Sequence, residues 1–277
     1  MIPIDHADGD HANGGHANGG NQRADALIHA LSRLAANPPA TLAGRIFTFW
    51  CKVPSPSGHL YVAFTGQGIS YARPAEVVHD DPAGFSRLFH DAFGRPLRAA
   101  DRPPAGLSSA LRSGRSTALA FDLGGLTPFE RDVLRATQQI PAGQTRPYAW
   151  LAGLIGRPRA VRAVGSALRR NPVPVLIPCH RVTRSDGSLG EYVFGTAVKE
   201  RLLRAEHVDL GELRGLARER IFFLGSDSTH IVCFPTCHHA RRITVRHRVG
   251  FRSVPEAIGA GYRPCRRCRP DALVPAA

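Results

Sequence analysis

The sequence predicts an α+β protein made of successive modules, and three observations carry that prediction. Between residues 46 and 71, three β-branched and aromatic runs are separated by short turn-forming stretches. From Thr127 onward the apolar spacing takes a helical period. Beyond residue 221, four cysteines stand at metal-ligand spacing. At 277 residues the chain is long enough for two or three domains with a sizeable core. Its formal charge of +14 is almost all arginine and points to a polyanionic partner, nucleic acid first. A compositional bias toward arginine raises the charge equally, so charge alone decides little. No stretch approaches the roughly 20 apolar residues of a membrane span, and the first residues lack the basic-then-apolar pattern of an export signal, so a cytoplasmic protein without disulfides is expected.

Residues 1–22 carry a low-complexity tract in which His-Ala-Asn-Gly-Gly occurs twice, at 11–15 and 16–20, without large apolar residues to bury, and they are expected to form a disordered tail. An N-terminal α+β subdomain is assigned to residues 23–125. It opens with a short amphipathic helix over Ala24–Leu34, marked by Leu27, Ile28, Leu31 and Leu34. Ile46–Cys51, Leu60–Phe64 and Ile69–Tyr71 read as an antiparallel meander, with Pro54 to Gly58 between the first two strands. Phe85, Leu88, Phe89 and Phe93 recur at helical spacing, and Ala118–Leu123 reads as a further strand. Cys51 is most simply a core residue.

The second module is assigned to residues 126–206. Thr127-Pro128-Phe129-Glu130 is a capping box with proline at the first helical position. It opens a helix whose apolar face holds Phe129, Val133, Leu134 and Ile140, with Gly143 as its stop. Tyr148–Ile155, the turn Gly156-Arg157-Pro158 and the stretch Ala160–Arg169 then suggest a helix-turn-helix, although an ordinary packed helix pair has the same pattern. The second of these helices is rich in small residues and carries Arg159, Arg162, Arg169 and Arg170. It can therefore approach a nucleic-acid backbone closely and meet its phosphates.

Val173-Pro174-Val175-Leu176 reads as a buried extended segment leading to Ile177-Pro178-Cys179-His180-Arg181-Val182. A buried thiol alone is inert core filler. A nucleophile at neutral pH needs a base or a positive charge beside it, which His180 and Arg181 can supply.

The run Asn171 to Val182, with Gly187-Ser188-Leu189-Gly190-Glu191-Tyr192 and Lys199 to Glu206, resembles the signature of the O6-alkylguanine-DNA alkyltransferases, and the resemblance covers about Gly44 to Glu206. It implies a ribonuclease-H-like N-terminal subdomain and a helical helix-turn-helix alkyltransferase domain. It also implies single-turnover transfer of an alkyl group from O6 of guanine, possible also from O4 of thymine, to Cys179. His180 would deprotonate the thiol through a water, Glu206 would orient His180, and Asn171 would brace the helices. Arg162 would intercalate as the target nucleotide leaves the stack, since the lesion is inaccessible inside a duplex, and Tyr148 would push the adjoining phosphate. Arg159 and Arg169 would add DNA contacts, and Tyr148, Val182, Tyr192 and Val193 would line the base pocket. Glu191 departs from the glycine more often found before the tyrosine, which would either narrow the pocket or place a charge at its mouth and so leaves the range of alkyl groups open. The partner would be double-stranded alkylated DNA and the protein a monomer. A sensor that binds alkylated bases without repairing them is the alternative, against which the presence of Cys179 argues.

Residues 207–220 mix charges with Leu210, Leu213 and Leu216 and read as a linker or short helix. A small α/β zinc domain is assigned to residues 221–277, where Cys233, Cys237, Cys265 and Cys268 form the four-thiolate set that tetrahedral zinc requires. Phe222–Leu224 and His230–Val232 read as a hairpin about Gly225–Ser228, and Ser253 to Glu256 as a second capping box closed by Gly261. Gly261 to Cys268 resembles the zinc domain of the Ada adaptive-response proteins. That resemblance implies a zinc-bound Cys233 that is also a second methyl acceptor, from DNA methylphosphotriesters; an accessory DNA-holding role is equally open. His238 and His239 are not expected to be ligands, because four cysteines suffice. A zinc-dependent transcription factor would need a second DNA-binding domain that the chain lacks.

Overall fold

Thr48 to Ser55 (β1), Gly58 to Thr65 (β2) and Gly68 to Pro74 (β3) form an antiparallel meander in the computed structural model, which describes residues 48–273. The expected tail and the helix at 24–34 lie outside the described residues. The first turn is tighter than the sequence suggests: Pro54 and Ser55 belong to β1, Gly58 to β2, and Ser55 pairs with Gly58. The unbroken apolar run of β2 follows from burial on both faces. Leu60 and Val62 enter the main core, while Tyr61 and Ala63 enter a second cluster with Tyr71, Phe85 and Phe89.

A fourth strand, β4 (Leu97–Ala99), adds parallel to β1 and gives the order β3-β2-β1-β4. Its three residues carry no alternation that a sequence reading could catch. Helix α1 (Pro82–Phe93) is capped by the Asp81 carboxylate, which accepts from the Ala83 and Gly84 amides, and it buries Phe85 and Phe89. Leu88 and Phe93 of the same apolar series stay 43% and 39% exposed, so the buried stripe is narrower than the periodicity implies. A short helix α2 (Leu107–Ser113) follows. The strand expected at Ala118–Leu123 is reduced to one bridge, Ile69 with Phe121, because only Ala120 and Asp122 exchange backbone hydrogen bonds with Ile69.

The capping box at Thr127 is complete: the Thr127 hydroxyl accepts from the Glu130 amide, and the Glu130 carboxylate accepts from the Thr127 amide at 2.9 Å. Helix α3 (Pro128–Gln138) ends before Gly143, since Pro141 has no amide to continue the ladder; Gly143, at φ 73°, shapes the turn that follows. Val133 and Leu134 are fully buried, and truncating Leu134 to alanine should cost about 2–5 kcal/mol. Helices α4 (Tyr148–Leu154) and α5 (Val161–Arg169) form the helix pair about Gly156, at φ 70°. The segment Val173–Leu176 is a tight turn rather than an extended strand: the Ile177 amide donates to the Val173 carbonyl, and Val175 adopts φ 73°. Strands β5 (Arg146–Pro147) and β6 (Val182–Thr183) pair in parallel, tying the entry to α4 to the exit from the cysteine motif.

After α6 (Thr196–Ala205), residues 210–218 form helix α7, capped by Asp209. The C-terminal sheet holds β7 (Phe223–Ser226), β8 (Ile231–Cys233), β9 (Arg248–Phe251) and β10 (Arg263–Pro264) in the order β10-β8-β7-β9. Gly225 and Ser226 lie in β7, so the hairpin turn falls at residues 227–230. Helix α8 (Val254–Gly259) carries half of the expected capping box. Ser253 accepts from the Glu256 amide, but the Glu256 carboxylate accepts from the Arg252 amide instead. One continuous apolar core runs from β1 and β2 through α3, α4 and α5 into Phe223, Val232 and Phe234. Among the described residues, no helix is long and apolar enough to cross a membrane.

Candidate active site and metal centre

Cys179 begins a single 3-10 turn, Cys179–Arg181, directly ahead of β6. Asn171 fixes that turn. Its Oδ1 accepts from the Val173 amide (3.0 Å), and its Nδ2 donates to the Ile177 carbonyl (3.0 Å) and to Cys179 Sγ (3.2 Å). Cys179 is 5% exposed and lines a cavity of about 580 Å3 whose walls include Tyr148, Arg162, Arg169, Glu191, Tyr192 and Val193. Of the sequence-derived pocket and DNA-contact set, Val182 and Arg159 are not among the lining residues. Val182 is fully buried with its carbonyl bonded to Lys199 Nζ, and Arg159 is exposed beyond the start of α5.

His180 is 1% exposed, and its Nε2 lies 3.0 Å from Glu206 Oε1. Its Nδ1 is buried and has no protein partner, as does the Tyr192 hydroxyl. Arg181 does not sit over the thiol. It turns away and grips Glu206, with Nε 2.9 Å from Oε2 and Nη2 2.7 Å from Oε1, while Nη1 donates to the Ile140 carbonyl. The Gly143 amide adds a further donor to Oε2 at 3.1 Å.

Electrostatics follow from this packing. Burial pushes the Cys179 thiol above its ordinary value, and the Asn171 amide and the Lys199 ammonium oppose that shift only in part. The Tyr192 hydroxyl also favours the thiolate from close by, without hydrogen-bond geometry. Burial lowers the His180 pKa although Glu206 pulls it up, so the ring is neutral at neutral pH. Burial alone would raise Glu206, but bonds and charges from His180 and Arg181 overcome it and hold the carboxyl at about 2. The site is thus a protonated thiol, a neutral imidazole with one free ring nitrogen and a fixed carboxylate, the three parts of a base-activated nucleophile.

Lys199 was not singled out by its sequence pattern. It is fully buried, donates to the Val182 and Leu189 carbonyls, and burial lowers its pKa to about 8. It thereby holds the segment after the cysteine against the loop that carries Tyr192. A lysine in an amphipathic helix gives no sign that it points inward. At the cavity mouth, Arg169 pairs with Glu191 at 3.3 Å, and the Tyr148 hydroxyl donates to the Glu191 carbonyl at 3.4 Å.

The four C-terminal cysteines are all buried, and their sulfurs lie within 4.8 Å of one another. Zinc–sulfur bonds of about 2.3 Å in a tetrahedron require sulfur separations of roughly 3.8 Å, so the donor set fits zinc in number, type and spread. Cys233 ends β8, and Cys237 follows in a turn closed by its amide to the Phe234 carbonyl. The Cys265 amide donates to the Val232 carbonyl, which brings the second pair alongside the first. His238 and His239 are exposed and outside the cluster. A second cavity, of about 400 Å3, has Cys233 in its wall together with His239, Arg242 and Arg246. Two other arginines of this module are engaged elsewhere: Arg241 donates to the Gly143 and His207 carbonyls, and Arg248 pairs with Glu212.

Two family models match the chain. The 6-O-methylguanine DNA methyltransferase DNA-binding domain matches residues 128–208, and the metal-binding domain of Ada matches residues 215–271. A methylated-DNA–protein-cysteine methyltransferase of Salmonella typhimurium is 42% identical over 160 residues, which is 56% of this chain and 93% of the relative. The bifunctional transcriptional activator/DNA repair enzyme Ada of Escherichia coli is 42% identical over 159 residues, 54% of this chain and 42% of its own. A methyltransferase of Methanosarcina barkeri is 50% identical over 84 residues, 30% of this chain and 53% of the relative, so the chain spans about half the length of several curated relatives. Among solved structures, Mycobacterium tuberculosis OGT in complex with DNA aligns with 60% of this chain and 98% of its own at 29% identity and a TM-score of 0.47.

Proposed function

The chain belongs to the methylated-DNA–protein-cysteine methyltransferase family, and from that premise we propose that it repairs alkylated DNA by moving the alkyl group from O6 of guanine, or O4 of thymine, onto Cys179. One observation carries the reading: Cys179 lines the open cavity while His180 and Glu206, bonded at 3.0 Å, stand behind it. His180 Nδ1, free of protein partners, takes the thiol proton through a water. The sulfur then attacks the alkyl carbon in line, the carbon–oxygen bond breaks, and its electron pair stays on guanine, which is protonated as it leaves. Glu206, gripped by Arg181, keeps the imidazole oriented and stabilises the transient imidazolium. The product thioether resists mild hydrolysis, so each molecule acts once.

Tyr148 and Arg162 at the cavity wall serve the extrusion of the target nucleotide, and Tyr192 and Val193 contact the flipped base. The substrate is double-stranded DNA, met by a cytoplasmic monomer. Residues 48–125 form the described part of a ribonuclease-H-like N-terminal subdomain, residues 126–206 the alkyltransferase domain, and residues 221–273 the described part of the Ada-like domain. The four-cysteine centre is a zinc site; bound zinc keeps its thiolates deprotonated yet nucleophilic. Cys233, beside Arg242 and Arg246, is suited to accept a methyl from a phosphotriester.

Intact-mass spectrometry after incubation with O6-methylguanine duplex tests this reading. The protein should gain one methyl group mapped to Cys179, and Cys179→Ala should gain none while still binding DNA. Methylation elsewhere in residues 126–206, or transfer persisting in the alanine variant, overturns the assignment. DNA carrying only methylphosphotriesters should instead label Cys233; an unmodified zinc-bound Cys233 overturns its acceptor role.

A further inference from the structure

Arg146 lies in β5, in the alkyltransferase domain, yet its guanidinium faces the zinc module. The residue is 2% exposed. Nη1 donates to the Thr145 carbonyl (2.7 Å) and Nη2 to Gln144 Oε1 (2.5 Å), while Nε is buried without a partner. The guanidinium carbon stands 4.9 Å from the Phe234 ring centre and 5.7 Å from that of Trp150. Among the described residues, no carboxylate pairs with it. An arginine stays charged when buried, and an uncompensated interior charge is among the costliest features a fold can hold. Burial lowers the affinity of this guanidinium for its proton, and the charges of Cys268, Cys237, Cys265 and Cys233 act against that loss. A zinc ion with four thiolates is left with two net negative charges, themselves buried.

We propose that Arg146 is the counter-charge of the zinc tetrathiolate, and that the zinc centre is thereby a structural part of the guanine-repair site rather than of a separate accessory module. The second half of the proposal rests on the repair function argued above.

The connections are short. Arg146 pairs with Val182 and Pro147 with Thr183, so the strand bearing the counter-charge is zipped to the strand that leaves the cysteine turn; the residue after Pro147 is Tyr148. Three further contacts bind the zinc turns to the same stretch. Trp150 Nε1 donates to the Cys268 and Arg269 carbonyls at 3.1 and 2.9 Å. The Thr145 amide donates to Thr236 Oγ1 at 2.9 Å, and Thr236 lies next to Cys237. At Gly153 the backbone of α4 passes so close to Ala272 that a Cβ would lie 1.7 Å from its carbonyl oxygen. Once zinc leaves, the four thiolates take up protons, so the negative charge facing Arg146 is lost together with the folded Cys265–Cys268 turn that receives Trp150. Arg146 is a positioning residue in this arrangement: it touches neither substrate nor sulfur Cys179, and acts through β5 on Tyr148 and β6.

The test uses full-length, zinc-loaded protein and follows release of zinc to a chromogenic chelator, a readout independent of repair. Arg146→Gln should release zinc at least about tenfold faster than wild type, and Arg146→Lys, which keeps the charge, should recover most of the difference, since a tenfold change is the size of one lost charge interaction in a partly screened interior. A glutamine variant that holds zinc as long as wild type overturns the proposal, and so does a lysine variant as leaky as the glutamine one, because packing alone would then explain the site. If Arg146→Gln does not fold, wild-type protein decides. Chelation should abolish amide-exchange protection across residues 145–155 and slow transfer to Cys179, whereas unchanged protection there overturns the coupling. A protein that releases zinc as expected but never accepts an alkyl group refutes the repair reading and leaves the counter-charge intact.

Discussion

Cys179 and Cys233 are both nearly inaccessible, 5% and 1% exposed, yet their surroundings solve the problem of a buried thiol in opposite ways. Cys179 stands outside the four-cysteine cluster. The Asn171 amide at 3.2 Å and the Lys199 ammonium offset only part of the burial that holds the thiol protonated, and in the proposed mechanism His180 and Glu206 form the relay that removes the proton when substrate is present. Around Cys233 three other cysteines converge, and zinc there keeps the sulfur deprotonated at all times. On the proposed function the first thiol becomes reactive by a proton transfer, and the second through zinc, which also ties its small domain together. Burial alone thus does not decide whether a thiol is held protonated or as a thiolate; the groups facing the sulfur do.

The largest effect is expected from disabling the proposed relay. Glu206→Gln keeps the shape of the side chain but removes the charge that His180 and Arg181 surround. Transfer to Cys179 should fall about 10²–10⁴-fold, the usual worth of a positioned general base, while zinc content stays at wild type. The pH dependence carries a sign. Because the His180 pKa is pushed below its usual 6.5, the wild-type rate should be flat through neutrality and fall only in acid, as the ring takes up a proton. Stability follows the same direction. The Glu206 carboxyl is held at about 2 against an ordinary 4.5, so its contribution, roughly 3 kcal/mol by linkage, is fully present above pH 4.5 and is lost as pH falls toward 2. A Glu206→Gln protein should lack that acid transition in its urea or thermal unfolding profile. A variant that transfers at the wild-type rate removes His180 and Glu206 from the mechanism.

A smaller loss should follow at the DNA-facing wall of the cavity. Arg162→Ala leaves Cys179 and its relay untouched, so reaction with free O6-benzylguanine should change little. Repair in duplex should slow about 10–100-fold, because unstacking a base costs a few kcal/mol that the arginine no longer offsets. Equal losses on both substrates would mean that the variant damages the pocket rather than extrusion.

The two thiol sites differ also in how far the sequence reveals them. The convergence of the four cysteines was legible from spacing alone, since two short cysteine pairs have few other uses. The Cys179 motif predicts a nucleophile, but not that Arg181, next but one along, turns back to hold Glu206 and not the sulfur. A 3-10 turn sends consecutive side chains in different directions, and nothing in the run Pro-Cys-His-Arg encodes that turn locally. The meander and the capped helices were legible because alternation and caps are local signals. The bridge at Phe121, the edge strands β4 and β10 and the turn at Val175 arise from tertiary pairing, which overrides local propensity. Arg146 was invisible for the same reason: in sequence it is one arginine among many, and only the fold places it against a cluster more than 80 residues away, as Cys233 onward counts.

The gentlest probe of the comparison lies at the mouth of the Cys179 cavity, where Glu191 brings a carboxylate to a surface that should meet phosphate. Glu191 and Arg169 are 78% and 73% exposed and pair at 3.3 Å, so their mutual stabilisation is of the order of 0–1 kcal/mol. The pair nevertheless occupies an arginine of α5 and adds a like charge beside the DNA backbone. Glu191→Gln removes that charge while keeping the main-chain carbonyl that accepts from Tyr148. Duplex affinity should rise by a few-fold at low salt, and the salt dependence should steepen by about one counterion as Arg169 engages a phosphate. The rate with free O6-benzylguanine should stay constant, since nothing near Cys179 has moved. The zinc module offers the contrast: Arg242 and Arg246 line the Cys233 cavity with no carboxylate pair among the described residues, so phosphotriester DNA should respond to their removal and not to Glu191→Gln. An affinity that falls, or a free-base rate that changes, would show that Glu191 shapes the pocket instead of screening its entrance.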